Sequence, residues 1–63
     1  MELLKEVKKY NAVVDKEDSD ALRDLCKENN IRWFRTEYYD QIYFEMWCNE
    51  DQAAIVNEFL GNL

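Results

Sequence analysis

A two-layer α+β sandwich, with elements in the order strand, helix, strand, strand, helix, is the fold class predicted by this 63-residue chain. Three patterns predict it. Residues 31–48 form an aromatic-rich run that reads as a β-hairpin. Residues 15–30 and 49–63, on either side, carry helical apolar stripes behind capping residues. Residues 10–14 alternate ahead of the first helix and supply a third strand. A helix with one apolar face needs something to cover, and here the hairpin is the sheet at hand.

The hairpin runs, residues 31–38 and 42–48, are rich in Ile, Trp, Phe, Thr and Tyr, which suit a pleated surface. In the second run Ile42, Phe44, Met46 and Cys48 alternate with Tyr43, Glu45 and Trp47, a period of two with one wholly apolar set. That set is the expected core face. Loop length then fixes the register. A two-residue loop would put Arg35 and Glu37 on the core face, opposite Met46 and Phe44. A three-residue loop over Tyr39, Asp40 and Gln41 instead pairs Tyr38 with Ile42, Thr36 with Phe44 and Phe34 with Met46. On the other face it pairs Arg35 with Glu45 and Trp33 with Trp47. Opposite charges and aromatics directly across a pair each contribute roughly 0.2–1 kcal/mol. The three-residue loop is therefore the expected one, with Asp40 or Gln41 left-handed. The outer face then carries Trp33, Tyr43 and Trp47, with Ile31 at its end.

Residues 1–9 read two ways. Leu3, Leu4, Val7 and Tyr10 have helical spacing, yet the stretch could equally extend the first strand. Tyr10, Ala12 and Val14 then alternate with Asn11 and Val13. In the first helix Asp15 is the expected N-cap, and Glu17 and Asp18 suit the positive end of the helix dipole. Ala21, Leu22, Leu25 and Cys26 make its apolar stripe, and Asn29-Asn30 is a left-handed stop. In the second helix Asn49 with Gln52 three residues on resembles a capping box. Ile55, Val56, Phe59, Leu60 and Leu63 share one arc, and Gly61 ends the helix.

Right-handed crossovers set the first strand beside the third, with the second at the far edge, giving sheet order 1-3-2 and both helices on one face. This layout resembles half of a ferredoxin-like fold, a βαββα unit without the usual last strand. The likeness is one of architecture.

Composition narrows the functions. Sixty-three residues make a single domain, residues 1–63, with a marginal core. Hydrophobic content of 48% favours folding over disorder. The N-terminus is too charged for a signal peptide and no apolar run approaches a membrane span, so the expected compartment is the cytoplasm, a host's if the chain is phage-encoded. Cys26 and Cys48 fall on apolar faces, at different ends of the core, and read as reduced buried thiols. Two thiols with no His make a metal site an unsuitable reading, and no cofactor is expected. One Ser (Ser19), one Thr (Thr36), no His and no Gly-rich loop leave no nucleophile with a base and no phosphate cradle. The expectation is a protein that is not an enzyme.

Two surfaces remain. The first is the outer sheet face, with Trp33, Arg35, Tyr43, Glu45 and Trp47. A partner, a second copy, or the chain's own residues 1–9 could cover it. RNA stacking uses this face in RNA-recognition motifs, but their basic and glycine residues are missing here. The second is an acidic ridge on the first helix, where Glu17, Asp20, Asp24 and Glu28 fall within one arc away from the core stripe. It is either a solvated face, a row that meets a basic partner, or a nucleic-acid mimic. Fourteen acids against eight bases give a net charge of −6, which disfavours nucleic acid and anionic membranes and favours a basic protein surface. The expected function is that of a small acidic binding module, a stoichiometric inhibitor or regulator of a larger basic protein such as one that binds nucleic acid. Phage-type antidefence proteins, antitoxins and host-takeover factors are of this kind. The alternative is a homo-oligomeric structural or regulatory module.

Overall fold

A computed structural model describes residues 6–63. The elements are β1 (Lys8–Asp15), α1 (Lys16–Glu28), β2 (Arg32–Tyr38), β3 (Gln41–Cys48) and α2 (Glu50–Gly61). The sheet runs β1-β3-β2 with both pairings antiparallel. The βαββα sandwich expected from the sequence is the fold. The strand reading of the N-terminal region holds from Lys8 onward, two residues earlier than Tyr10. Residues 1–5, and with them the question of what they cover, lie outside the described residues.

The core is built on β3, whose residues alternate strictly between buried and accessible. Ile42, Phe44, Met46 and Cys48 are buried, and Phe44 and Met46 have no exposed surface. From β1, Val14 is buried beside Ile42, with Tyr10 and Ala12 half-buried opposite Met46 and Phe44. Burying side chains of this size contributes about 1.5–3 kcal/mol each.

α1 lays Ser19, Leu22 and Cys26 on this core, spaced three and four apart, with Leu25 half-buried beside them. Ala21, expected in the stripe, is exposed, so the helix is rotated toward Ser19. Burial of that hydroxyl is tolerated because it donates to the Lys16 carbonyl at 2.9 Å. Asp15 occupies the N-cap in extended conformation, but its carboxylate makes no capping bond. The helix ends in a Schellman motif. The Ile31 N–H reaches the Cys26 carbonyl at 2.8 Å and the Asn30 N–H reaches the Lys27 carbonyl at 3.4 Å. Asn30 is left-handed, with φ 56°.

α2 opens with the expected capping box: the Gln52 N–H donates to Asn49 Oδ1 and the Asn49 N–H to Gln52 Oε1, each at 2.9 Å. The Gln52 amide also donates to the Asn29 carbonyl at 2.9 Å, tying the start of α2 to the end of α1. The buried residues of α2 are Ala53 and Val56, with Phe59 and Leu60 half-buried. Ile55 and Leu63, expected in the stripe, are exposed. The covered arc thus begins at small Ala53.

The hairpin register differs from the expected one. The loop is two residues, Tyr39 and Asp40, and Tyr38 pairs with Gln41, Glu37 with Ile42, Arg35 with Phe44 and Trp33 with Met46. Every β2 side chain is therefore flipped. Trp33 turns inward, its ring 6.0 Å from that of Phe44, and Ile31 is buried in the core instead of ending the outer face. Phe34, expected opposite Met46 in the core, points outward and is 59% exposed. Partners on α1 accommodate the two charges on the helix side. Arg35 Nη1 lies 3.4 Å from Asp20 Oδ1 and Lys16 Nζ 2.7 Å from Glu37 Oε2. The observed register thus has a buried Ile31, a half-buried indole and two ion pairs in place of the cross-strand pairs of the alternative one.

The left-handed residue of the loop is Tyr39, φ 56°, not Asp40 or Gln41. A side chain there costs about 1–2 kcal/mol in the backbone, least for Asn and most for a β-branched residue. Tyr39→Asn and Tyr39→Val both remove the same exposed ring, so their difference isolates the backbone. The Val variant is expected to be the less stable by about 1 kcal/mol in urea unfolding. Equal midpoints would contradict the two-residue turn.

Candidate functional site

The outward residues of the three strands form a lattice with four rows. Lys9, Trp47 and Arg32 make the first row, followed by Asn11, Glu45 and Phe34. Val13, Tyr43 and Thr36 come next, then Asp15, Gln41 and Tyr38. No described helix covers this face. Val13, Phe34, Tyr38 and Tyr43 are each 37–65% exposed. A groove runs between them, lined by Val13, Thr36, Tyr38, Gln41, Tyr43 and Glu45. The half-buried Trp47 sits between two cations in its row. The Arg32 guanidinium lies 5.4 Å from the indole centroid, and Lys9 Nζ is 3.1 Å from Glu45 Oε2.

Of the five outer-face residues read from the sequence, the structure places Tyr43, Glu45 and Trp47 together on this lattice. Trp33 and Arg35 are corrections. The two-residue loop puts them on the helix side, where the Arg35 guanidinium lies 5.9 Å from the Trp33 ring centroid. In their place the lattice holds Phe34 and Tyr38, flipped outward, with Val13 of β1. Val13 was legible, since it alternates against Ala12 and Val14. Phe34 and Tyr38 were not, because their face depends on the loop.

All four residues of the acidic ridge are exposed on α1. Its middle is occupied. Asp20 Oδ1 lies 3.4 Å from both Arg23 Nη1 and Arg35 Nη1, and Asp24 Oδ1 lies 3.2 Å from Arg23 Nη2. Glu17 and Glu28, at the ends, make no ion pair among the described residues. The ridge is thus two free carboxylates flanking a neutralised centre. Nearby, Lys16 and Glu37 hold each other charged: their hydrogen bond, then their Coulomb attraction, raises the lysine pKa and lowers that of the carboxyl.

Cys26 and Cys48 are both free and buried. They are not at different ends of the core: the Gln52 amide, four residues past Cys48, donates to the Asn29 carbonyl, three residues past Cys26, at 2.9 Å. The topology explains this. Both α1 and β3 run opposite to β1, so the late helical thiol and the strand-end thiol share one end. Burial, with a smaller push from Cys48, raises the Cys26 thiol to about 11, and burial raises Cys48 as well. Among the described residues no group of three His, Cys, Asp or Glu side chains could hold a metal ion. Among the described residues no helix is long and apolar enough to cross a membrane.

Comparison with family models, curated proteins and solved structures finds no match.

The thiols supply a test of the core. Above pH 9 an unfolded Cys26 ionises, while the folded one keeps its proton to about 11. The unfolded state then binds fewer protons, so stability falls as pH rises through that window. Urea midpoints are expected to drop between pH 9 and 11, and Cys26→Ala is expected to flatten the fall. A thiol reagent at pH 8 is expected to label the native chain only after denaturant is added.

Proposed function

We propose that this chain is a small acidic, non-catalytic binding module whose contact surface is the outer sheet face. One observation carries the reading: an open sheet face carries Val13, Phe34, Tyr38 and Tyr43 in a contiguous, largely exposed group. Contiguous apolar patches mark interaction sites more often than chance, and Tyr and Trp are favoured anchors in interfaces. Exposed Phe34 and Tyr43 would enter the partner's pockets, and the groove beside Tyr43 would take a side chain in return.

The partner is a larger protein with a basic surface, and the action is stoichiometric inhibition or regulation by occlusion. The net charge of −6 supports this choice of partner. Glu17 and Glu28 would steer the approach and set the on-rate at low salt, while the aromatic face would set the lifetime of the complex. An antidefence protein, antitoxin or host-takeover factor would act this way.

Affinity capture from lysate, followed by rebinding of the purified partner, tests the division of labour. Phe34→Ala and Tyr43→Ala are each expected to cost about 2 kcal/mol of binding, roughly thirtyfold in Kd, with folding retained. Glu17→Lys with Glu28→Lys is expected to slow association and reduce its salt dependence while leaving dissociation unchanged. Capture that both aromatic variants leave intact would remove the outer face from the interface.

A further inference from the structure

We propose that the free edge of β2 pairs with the β2 of a second copy of this chain, antiparallel and centred on Thr36. Two three-stranded sheets would then become one of six strands. This goes beyond the binding reading above, because it concerns the backbone edge of the sheet and a second copy of the chain.

The sheet order leaves β2 bonded to β3 on one side and to nothing described on the other. The strand is rich in β-forming residues, yet every residue except Trp33 is exposed. Natural edge strands are usually blunted by proline, lysine, a bulge or inward-pointing charges. β2 has no proline, lysine or bulge, and its two inward charges, Arg35 and Glu37, are held by Asp20 and Lys16 of the same chain; the strand reads RWFRTEY and pairs with β3 without interruption from Arg32 to Tyr38. The other edge, β1, opens with Lys8 and Lys9 and is blunted in the usual way.

The order of residues in β2 is complementary to itself. A two-fold axis perpendicular to the sheet at Thr36 sets residues of the same face opposite one another. Phe34 then faces Tyr38 of the second copy, Arg35 faces its Glu37, and Thr36 faces its Thr36. Each pair occurs twice except the one on the axis. Aromatic pairs, opposite charges and Thr–Thr pairs are the cross-strand combinations that stabilise antiparallel sheets. Neighbouring registers lack this match. An axis at Arg35 or at Glu37 opposes like charges, and one at Phe34 sets Glu37 against Ile31.

The ion pairs within each copy extend the match. Arg35 already touches Asp20, and Glu37 already touches Lys16. Across the new edge the charges alternate as Asp20, Arg35, then Glu37 and Lys16 of the second copy. Both helix layers fall on one side of the six-stranded sheet, and the two outer faces join into one platform.

Sedimentation of the purified chain over a wide concentration range tests this, with two charge variants. The wild type is expected to show a concentration-dependent dimer. Arg35→Glu and Glu37→Arg should each weaken it by about tenfold or more, since like charges then lie directly opposite. An equimolar mixture of the two variants should associate again, because every carboxylate at these positions then faces a guanidinium. Thermal melts check that each variant folds. Amide exchange of wild-type β2, expected to slow as concentration rises, needs no variant. A concentration-independent wild-type monomer, a dimer that both variants leave intact, or a mixture that stays monomeric would overturn the proposal. Arg35 and Glu37 lie off the outer platform, so partner capture can fail while this dimer persists, and the reverse.

Discussion

Burial of the inward row of β3 beneath two helices is the constraint from which the rest of the molecule follows. Ile42, Phe44, Met46 and Cys48 are covered from above and flanked on both sides, because β3 is the middle strand of the three described. A chain this short buries a modest fraction of its surface, and this row is its largest continuous investment in the core. The two helix junctions serve it. The Schellman turn after α1 drops Ile31 into the core, and the capping box starts α2 one residue after Cys48. The bond from Gln52 to the Asn29 carbonyl joins those junctions, so the ends of both helices close over the same thiol-lined end of the sheet.

β2 answers to a different balance. Its pairing partners are decided by β3, but which of its faces turns inward was open between two loops. Local cross-strand energies favoured pairing Trp33 with Trp47 and Arg35 with Glu45. Each such gain is below about 1 kcal/mol, and the observed register instead buries Ile31 and sets the Trp33 ring 6.0 Å from that of Phe44. The charges that came inward with Trp33 sit at the rim, beside the first turns of α1, where Lys16 and Asp20 meet them in solvent. The inward turn thus buries Ile31 and half-buries Trp33, exposes Phe34 and Tyr38, and carries two ion pairs at its rim.

That outcome shaped the surfaces. Flipping β2 moved Phe34 and Tyr38 to the outer lattice and took Trp33 and Arg35 away from it. The same flip engaged Arg35 with Asp20, which neutralises the middle of the acidic ridge and leaves Glu17 and Glu28 as its free ends. The two candidate surfaces are thus coupled through one loop of two residues. A strand whose inward residues are an indole, a guanidinium and a carboxylate contributes little to the core.

Element order, sheet order, the inward row of β3, the Asn30 stop of α1 and the capping box of α2 were all legible along the chain, whereas Asp15 holds the N-cap position of α1 without a capping bond. Those features rest on short-range rules: side-chain period, caps within four residues, and the handedness of a crossover. The sequence also showed Tyr43 and Trp47 on the open face, because their alternation with Phe44 and Met46 needs no partner. The face of β2, the rotation of α1 toward Ser19, the exposure of Ile55 and the shared end of the two thiols emerge only from packing in three dimensions. Each of these depends on a contact between residues distant in sequence. A shift of one residue in the hairpin loop reverses a whole strand while barely changing the local energies, so no pattern along the chain could choose between the two registers.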